Sequence, residues 1–172
     1  MIIKYRIVSG ESDDFVRDIE IYSDNNFYDL HLAIQASCNY DPSLITTFFL
    51  SNNSWDKVQE IILEKMDEES QSDLLLMKDT PLDIFKPEIG QRYIYIYDFF
   101  SVRSFFIEIV NIRESTKEDL KLEFPISTLS KGIPPHQIFV DDIDDSDMND
   151  DFEDVNEEFG DFEFDNIDDL DI

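Results

Sequence analysis

The chain has 172 residues but only one cysteine, Cys38, and two histidines, His31 and His136. A lone cysteine excludes an internal disulfide and a thiolate metal cage, and it fits a reducing compartment. Two histidines exclude a tri-histidine zinc site. They leave His31, His136 and Asp98 as the one set with two imidazoles and a carboxylate. No apolar run approaches the roughly 20 residues of a membrane helix. The opening Met-Ile-Ile-Lys-Tyr-Arg carries charge at Lys4 and Arg6, so it reads as a strand and not as a signal peptide. There is no Gly-rich phosphate loop, no nucleophile motif and no internal repeat. The expectation is a cytoplasmic protein with no cofactor and no bound metal.

Basic residues are also scarce: 13 Lys and Arg face 41 Asp and Glu, a net charge of −28. The imbalance is uneven. Asp141 to Ile172 holds 13 Asp, 4 Glu and no base, which leaves 24 acids against all 13 bases in residues 1–140, a net of −11. Direct nucleic-acid binding and anionic membranes are disfavoured by both parts. The sequence therefore divides into a folded domain over 1–140 and an acidic tail over 141–172, for which disorder is expected. Within the tail, Asp142, Asp144, Ser146, Asp150 and Glu153 match positions 1, 3, 5, 9 and 12 of a calcium loop. Asp147 stands where that loop needs glycine, and no amphipathic helices flank it. Phe159, Phe162 and Phe164 lie among the acids, the pattern of a segment that charge steers to a basic protein and aromatics then anchor.

In the body, apolar positions fall on two periods. Ile3, Tyr5 and Ile7 alternate with Lys4 and Arg6, and Ile19 and Ile21 with Asp18 and Glu20, so two half-buried strands open the chain. Arg17 shares the inward parity, which places it near a strand end or beside an acid. Phe27, Leu30, Ile34 and Cys38 recur three or four apart and predict a helix. Asn26 is its N-cap, Asp29 completes a capping box, and Asn39 ends it in the left-handed conformation. Leu44–Leu50, Val58–Leu63, Tyr93–Phe99 and Ser104–Ile112 read as strands, the last two as a hairpin. Thr80 and Pro81 start a short helix to Phe85. Residues 126–135 read as irregular. The fold class is α+β: a mixed sheet of about five or six strands with a β-grasp-like β-β-α-β opening and one main core helix.

Three segments carry a family resemblance. They are Val16-Arg17-Asp18-Ile19-Glu20-Ile21, Leu30-His31-Leu32-Ala33-Ile34-Gln35, and Tyr97-Asp98-Phe99 with the later Gly132-Ile133-Pro134-Pro135. Over roughly residues 2–140 the chain resembles the plasmid pRiA4b ORF-3-like family, found in bacteria on plasmids and near transposons. The family continues Tyr-Asp-Phe with Gly-Asp, then Trp and His; here Phe100, Ser101, Arg103 and Phe105 stand in those places. The resemblance implies no settled reaction.

Candidate ligand-binding residues are His31 and Gln35, four apart on one helical face, with Asp98 and His136. Each has a plainer use. His31 and Gln35 can satisfy neighbouring backbone groups, and Asp98 can pair with Arg103 or Arg17. No catalytic residue is assigned. The leading expectation is a non-catalytic interaction domain with an acidic recognition tail for a basic protein. One alternative is a small enzyme or ligand-binding protein using His31, Asp98 and His136. Another is a nucleic-acid mimic that occupies a basic DNA-binding protein.

Overall fold

The structure, a computed structural model, describes residues 1–65 and 74–138. The chain falls into two units, Met1–Phe139 and Val140–Ile172. The acidic segment lies outside the described residues. The first unit is built from β1 (Ile2–Ser9), β2 (Val16–Tyr22), α1 (Phe27–Cys38), β3 (Thr47–Ser51), β4 (Lys57–Ile62), β5 (Leu75–Leu76), β6 (Arg92–Asp98), β7 (Arg103–Arg113) and β8 (Ile126–Lys131).

These strands form one mixed sheet in the order β5-β4-β3-β6-β7-β1-β2-β8. Of its pairs, β4–β5 is parallel and the others are antiparallel. The sheet thus has eight strands where the periodicity suggested five or six. The two extra strands are its edges. β5 is two residues long, and β8, which reads as irregular in the sequence, is almost wholly exposed. An exposed edge strand has no inward face to alternate with, so its sequence carries no period-2 signal. The chain does open strand, strand, helix, strand, but β3 does not sit beside the β1–β2 hairpin. The later hairpin β6–β7 is inserted between them.

α1 spans the residues its periodicity marks. Asn26 accepts from the Asp29 amide, the Asp29 carboxylate accepts from the Asn26 amide, and Asn39 closes the helix at φ 55°. Its apolar stripe packs on one face of the sheet. Phe27 meets Phe48 of β3 at 5.4 Å and Tyr93 of β6 at 5.7 Å between ring centroids. Leu30 and Ile34 are fully buried in the same cluster as Tyr5, Ile107 and Ile109. Truncating either to alanine is expected to cost about 2–5 kcal/mol.

The opposite face carries a cross-strand charge ladder. Register pairs Lys4 with Glu20 and Arg6 with Asp18 across β1–β2, and Arg92 with Glu108 across β6–β7. All three are ion pairs, at 3.0, 2.8 and 3.0 Å. Such pairs contribute little individually but hold register.

Two further readings shift. The strand expected from Leu44 begins at Thr47, which frees Leu44 and Ile45 from the ladder. The short helix is a 3-10 turn, Leu82–Phe85, without a side-chain cap; the Thr80 hydroxyl donates instead to the Leu76 carbonyl at 2.7 Å.

Candidate functional site

Strand β6 organises the polar residues of the first unit. Its tyrosines 93, 95 and 97 alternate onto the α1 face, and all three are buried. α1 lays His31 and Gln35 over the middle one. The Gln35 amide donates to the Tyr95 hydroxyl, and Tyr95 shares a hydrogen bond of 2.8 Å with His31 Nδ1. With the ring hydrogen on Nε2, the Tyr95 hydroxyl, which accepts from Gln35, donates to Nδ1. Thr46 Oγ1 lies 3.2 Å from the same Nδ1. Nε2 is buried and makes no hydrogen bond of good geometry among the described residues. Burial dominates and lowers the His31 pKa from 6.5 to about 4, with the Pro42 carbonyl opposing it weakly. His31 is therefore neutral at physiological pH. Backbone satisfaction was the plainer use expected for this pair; His31 has a backbone partner in Pro42, and both side chains also meet the Tyr95 side chain, sixty residues after Gln35.

A second cluster sits where β6 turns into β7. Arg103 donates Nη2 and Nε to the Glu11 carboxylate, at 2.6 and 3.0 Å. It gives Nη1 to the His136 carbonyl at 2.8 Å, and that nitrogen lies 3.8 Å from Asp98 Oδ2. Tyr97 donates to Glu11 at 3.0 Å. The Arg103 guanidinium holds the Glu11 carboxyl below its ordinary range, and burial raises the Tyr97 hydroxyl. Asp98 pairs with Arg103 as expected, and its Oδ1 accepts from the Ser101 amide at 3.2 Å, which caps the turn. Asp98 Oδ2 makes no hydrogen bond. Val102 in this turn has φ 54°, a strained value for a β-branched residue.

The candidate residues thus fall into two groups. His31 and Gln35 meet on Tyr95. Asp98 and His136 meet on Arg103, with His136 contributing its carbonyl while the residue is exposed. Gln137 reaches toward the first group, donating to Gln35 Oε1 at 3.3 Å.

The remaining motif residues fasten the chain after β8. Arg17, buried on the inward parity of β2, pairs with carbonyls and not with an acid: Val16 at 3.0 Å, Ser37 at 3.1 Å, Lys131 at 2.6 Å and Gly132 at 3.1 Å. Gly132 has φ +71°, and a Cβ there would stand 2.4 Å from the Asp14 carbonyl oxygen. Only glycine fits so close a backbone approach. Tyr40 then donates its hydroxyl to the Pro135 carbonyl.

Beside the β6–β7 turn lies a cleft of about 380 Å³, with walls that include Leu44, Ile45, Tyr97, Phe99, Phe100 and Ile138. Asp98 lines it; neither histidine does. A smaller chamber of about 180 Å³ adjoins it, and Ile45 and Phe99 belong to both. Phe100 is 90% exposed at the rim and Phe99 43%. By residue type Leu44, Ile45 and Phe99 read as strand residues, and Phe100 stands out in the sequence only as a departure from the family. The available signal is Pro42 just ahead of Leu44, which delays the strand. Among the described residues no group of three or more His, Cys, Asp or Glu is arranged to hold a metal ion, and no helix is long and apolar enough to cross a membrane. Phe159, Phe162, Phe164 and the calcium-loop match lie outside the described residues.

The chain belongs to the family described as plasmid pRiA4b ORF-3-like protein, whose model matches residues 6–168. The match runs into the acidic segment, past residue 140 where the resemblance read from the sequence ends. A crystal structure of a protein of unknown function from Methanosarcina mazei Go1 is similar in fold, with a TM-score of 0.59 at 21% identity, covering 75% of this chain and 68% of that one. No curated protein matches significantly.

Proposed function

We propose that this member of the plasmid pRiA4b ORF-3-like family is a non-catalytic protein-interaction domain of the cytoplasm, and that its acidic segment from residue 141 recognises a basic protein. One observation carries the reading. The polar residues that mark the family are engaged inside the domain: His31 and Gln35 with Tyr95, Asp98 with Arg103 and the turn amide, Arg17 with four carbonyls. The cleft beside them is mainly apolar. An enzyme using His31, Asp98 and His136 needs those side chains to converge on that cleft, and only Asp98 lines it.

Charge supports the choice of partner. Residues 141–172 hold 17 acids and no base, so they attract a cationic surface from a distance, and Phe159, Phe162 and Phe164 supply short-range contact. The test is capture of partners from the native cytoplasm by full-length protein. We expect basic proteins to be retained by the wild type. They should be largely lost from a variant with Phe159, Phe162 and Phe164 changed to Ser, which keeps every charge. Equal capture by both, disappearing smoothly with salt, would reduce the segment to a polyanion.

A further inference from the structure

We infer that the cleft and the adjoining chamber beside the β6–β7 turn together make a groove that docks a basic, amphipathic segment of a partner protein. The inference rests on the proposed interaction role and gives it a surface. Ile45 and Phe99 line both chambers, of about 380 and 180 Å³, so the two adjoin. That shape takes two bulky side chains from one segment, the helix-in-groove or strand-in-groove mode, more readily than one compact molecule.

The rim of the groove exposes apolar side chains. Phe100 is 90% exposed, Phe99 43% and Ile138 59%. Clustered aromatic and aliphatic side chains at one rim mark an interaction patch, where scattered ones would not. The turn that carries the two phenylalanines is also held fast. Asp98 caps it at the Ser101 amide, and Arg103 ties its base to Glu11 and to the His136 carbonyl. A rigid rim loses little entropy when an anchor binds.

Charge selects the occupant. Among the described residues, Glu60 and Glu64 line the smaller chamber, Asp98 lines the larger with its charge already paired to Arg103, and no Lys, Arg or His lines either. The first 140 residues carry a net −11 and the whole chain −28. Apolar anchors flanked by Lys or Arg therefore find both a greasy floor and an attractive rim. An anionic lipid surface or a nucleic acid meets repulsion at the same place.

The test is an NMR titration of isotopically labelled full-length protein with a synthetic peptide that repeats Lys and Leu at helical spacing. We expect shifts at Ile45, Thr46, Leu63, Phe99 and Phe100. A variant carrying Phe99→Ser and Phe100→Ser should bind about tenfold more weakly or worse, the effect of losing hot-spot side chains. Unchanged shifts at Ile3, Ile107 and other core residues will show that this variant remains folded. A peptide with Leu replaced by Ser should lose the groove shifts, and so should one with Lys replaced by Ser. Shifts confined to residues 141–172, unchanged affinity in the double variant, or equal groove binding by the Lys-free peptide would each overturn the proposal. The two readings fail separately. Peptide bound only at the acidic segment defeats the groove and leaves the interaction reading standing. Groove binding of the peptide, with no basic protein captured from the cytoplasm, defeats the acidic-segment reading alone.

Discussion

The Tyr95 hydroxyl and the His31 ring share a buried hydrogen bond of 2.8 Å, which joins the centre of the sheet to the core helix. Tyr5, also fully buried, has no partner for its hydroxyl among the described residues. The same substitution should therefore act in opposite directions at the two sites.

Tyr95→Phe strips a partner from both His31 and Gln35, and leaving buried polar groups unpaired costs about 1–3 kcal/mol. Tyr5→Phe removes an unsatisfied hydroxyl and keeps the ring, so it should be neutral or stabilising by up to about 1 kcal/mol. Urea unfolding of the two variants checks the pair. Equal destabilisation would show that the Tyr95 network contributes nothing specific.

His31 makes stability depend on pH. Its pKa is about 4 in the fold against 6.5 for a free ring, chiefly because burial penalises the charged form. The unfolded chain binds the extra proton first. This contribution is therefore complete above about pH 6.5, and it falls as pH drops toward about 4. The full span corresponds to about 3 kcal/mol. Glu11 and Glu20 both titrate below their ordinary range, which keeps them largely out of this window. Urea midpoints taken from about pH 7 down to about pH 4.5 should decline in the wild type and stay flatter in His31→Gln. Parallel curves would place the buried proton elsewhere.

Gly132→Ala should destabilise by more than about 1 kcal/mol, because it combines a left-handed backbone with a closed space. The new Cβ would meet the Asp14 carbonyl oxygen at 2.4 Å. Gly90→Ala is the control: it shares a positive φ but has open space around it, so it should cost less. Thermal melts of the two variants decide the matter. Equal losses would mean that backbone conformation alone sets the cost.

What is legible in the sequence is local. Helix α1 can be read to the residue because its stripe, its capping box and its left-handed cap all lie within the segment itself. The edge strands cannot be read, since β8 buries almost nothing and β5 is only two residues long. Placing β6–β7 between β1 and β3 depends on pairings across most of the chain, which no window reveals. The candidate site follows the same division. That His31 and Gln35 share a face is plain from their spacing; that both face Tyr95, sixty residues after Gln35, is not. Leu44 and Ile45 are typical strand residues by type, and only the late start of β3 turns them into cleft walls.

The central claim is that His31, Gln35 and Arg17, polar residues of the family motifs, hold the fold while recognition lies elsewhere. It is tested most directly by measuring stability and binding on one variant, Gln35→Met, which keeps the bulk of a fully buried side chain but removes its bonds to Tyr95 and Gln137. The expected result is a urea midpoint lowered by the equivalent of about 1–3 kcal/mol of stability, with the affinity for the lysine–leucine peptide unchanged where the protein is folded. An unchanged midpoint with weakened binding would contradict it, and would return Gln35 and His31 to the binding site.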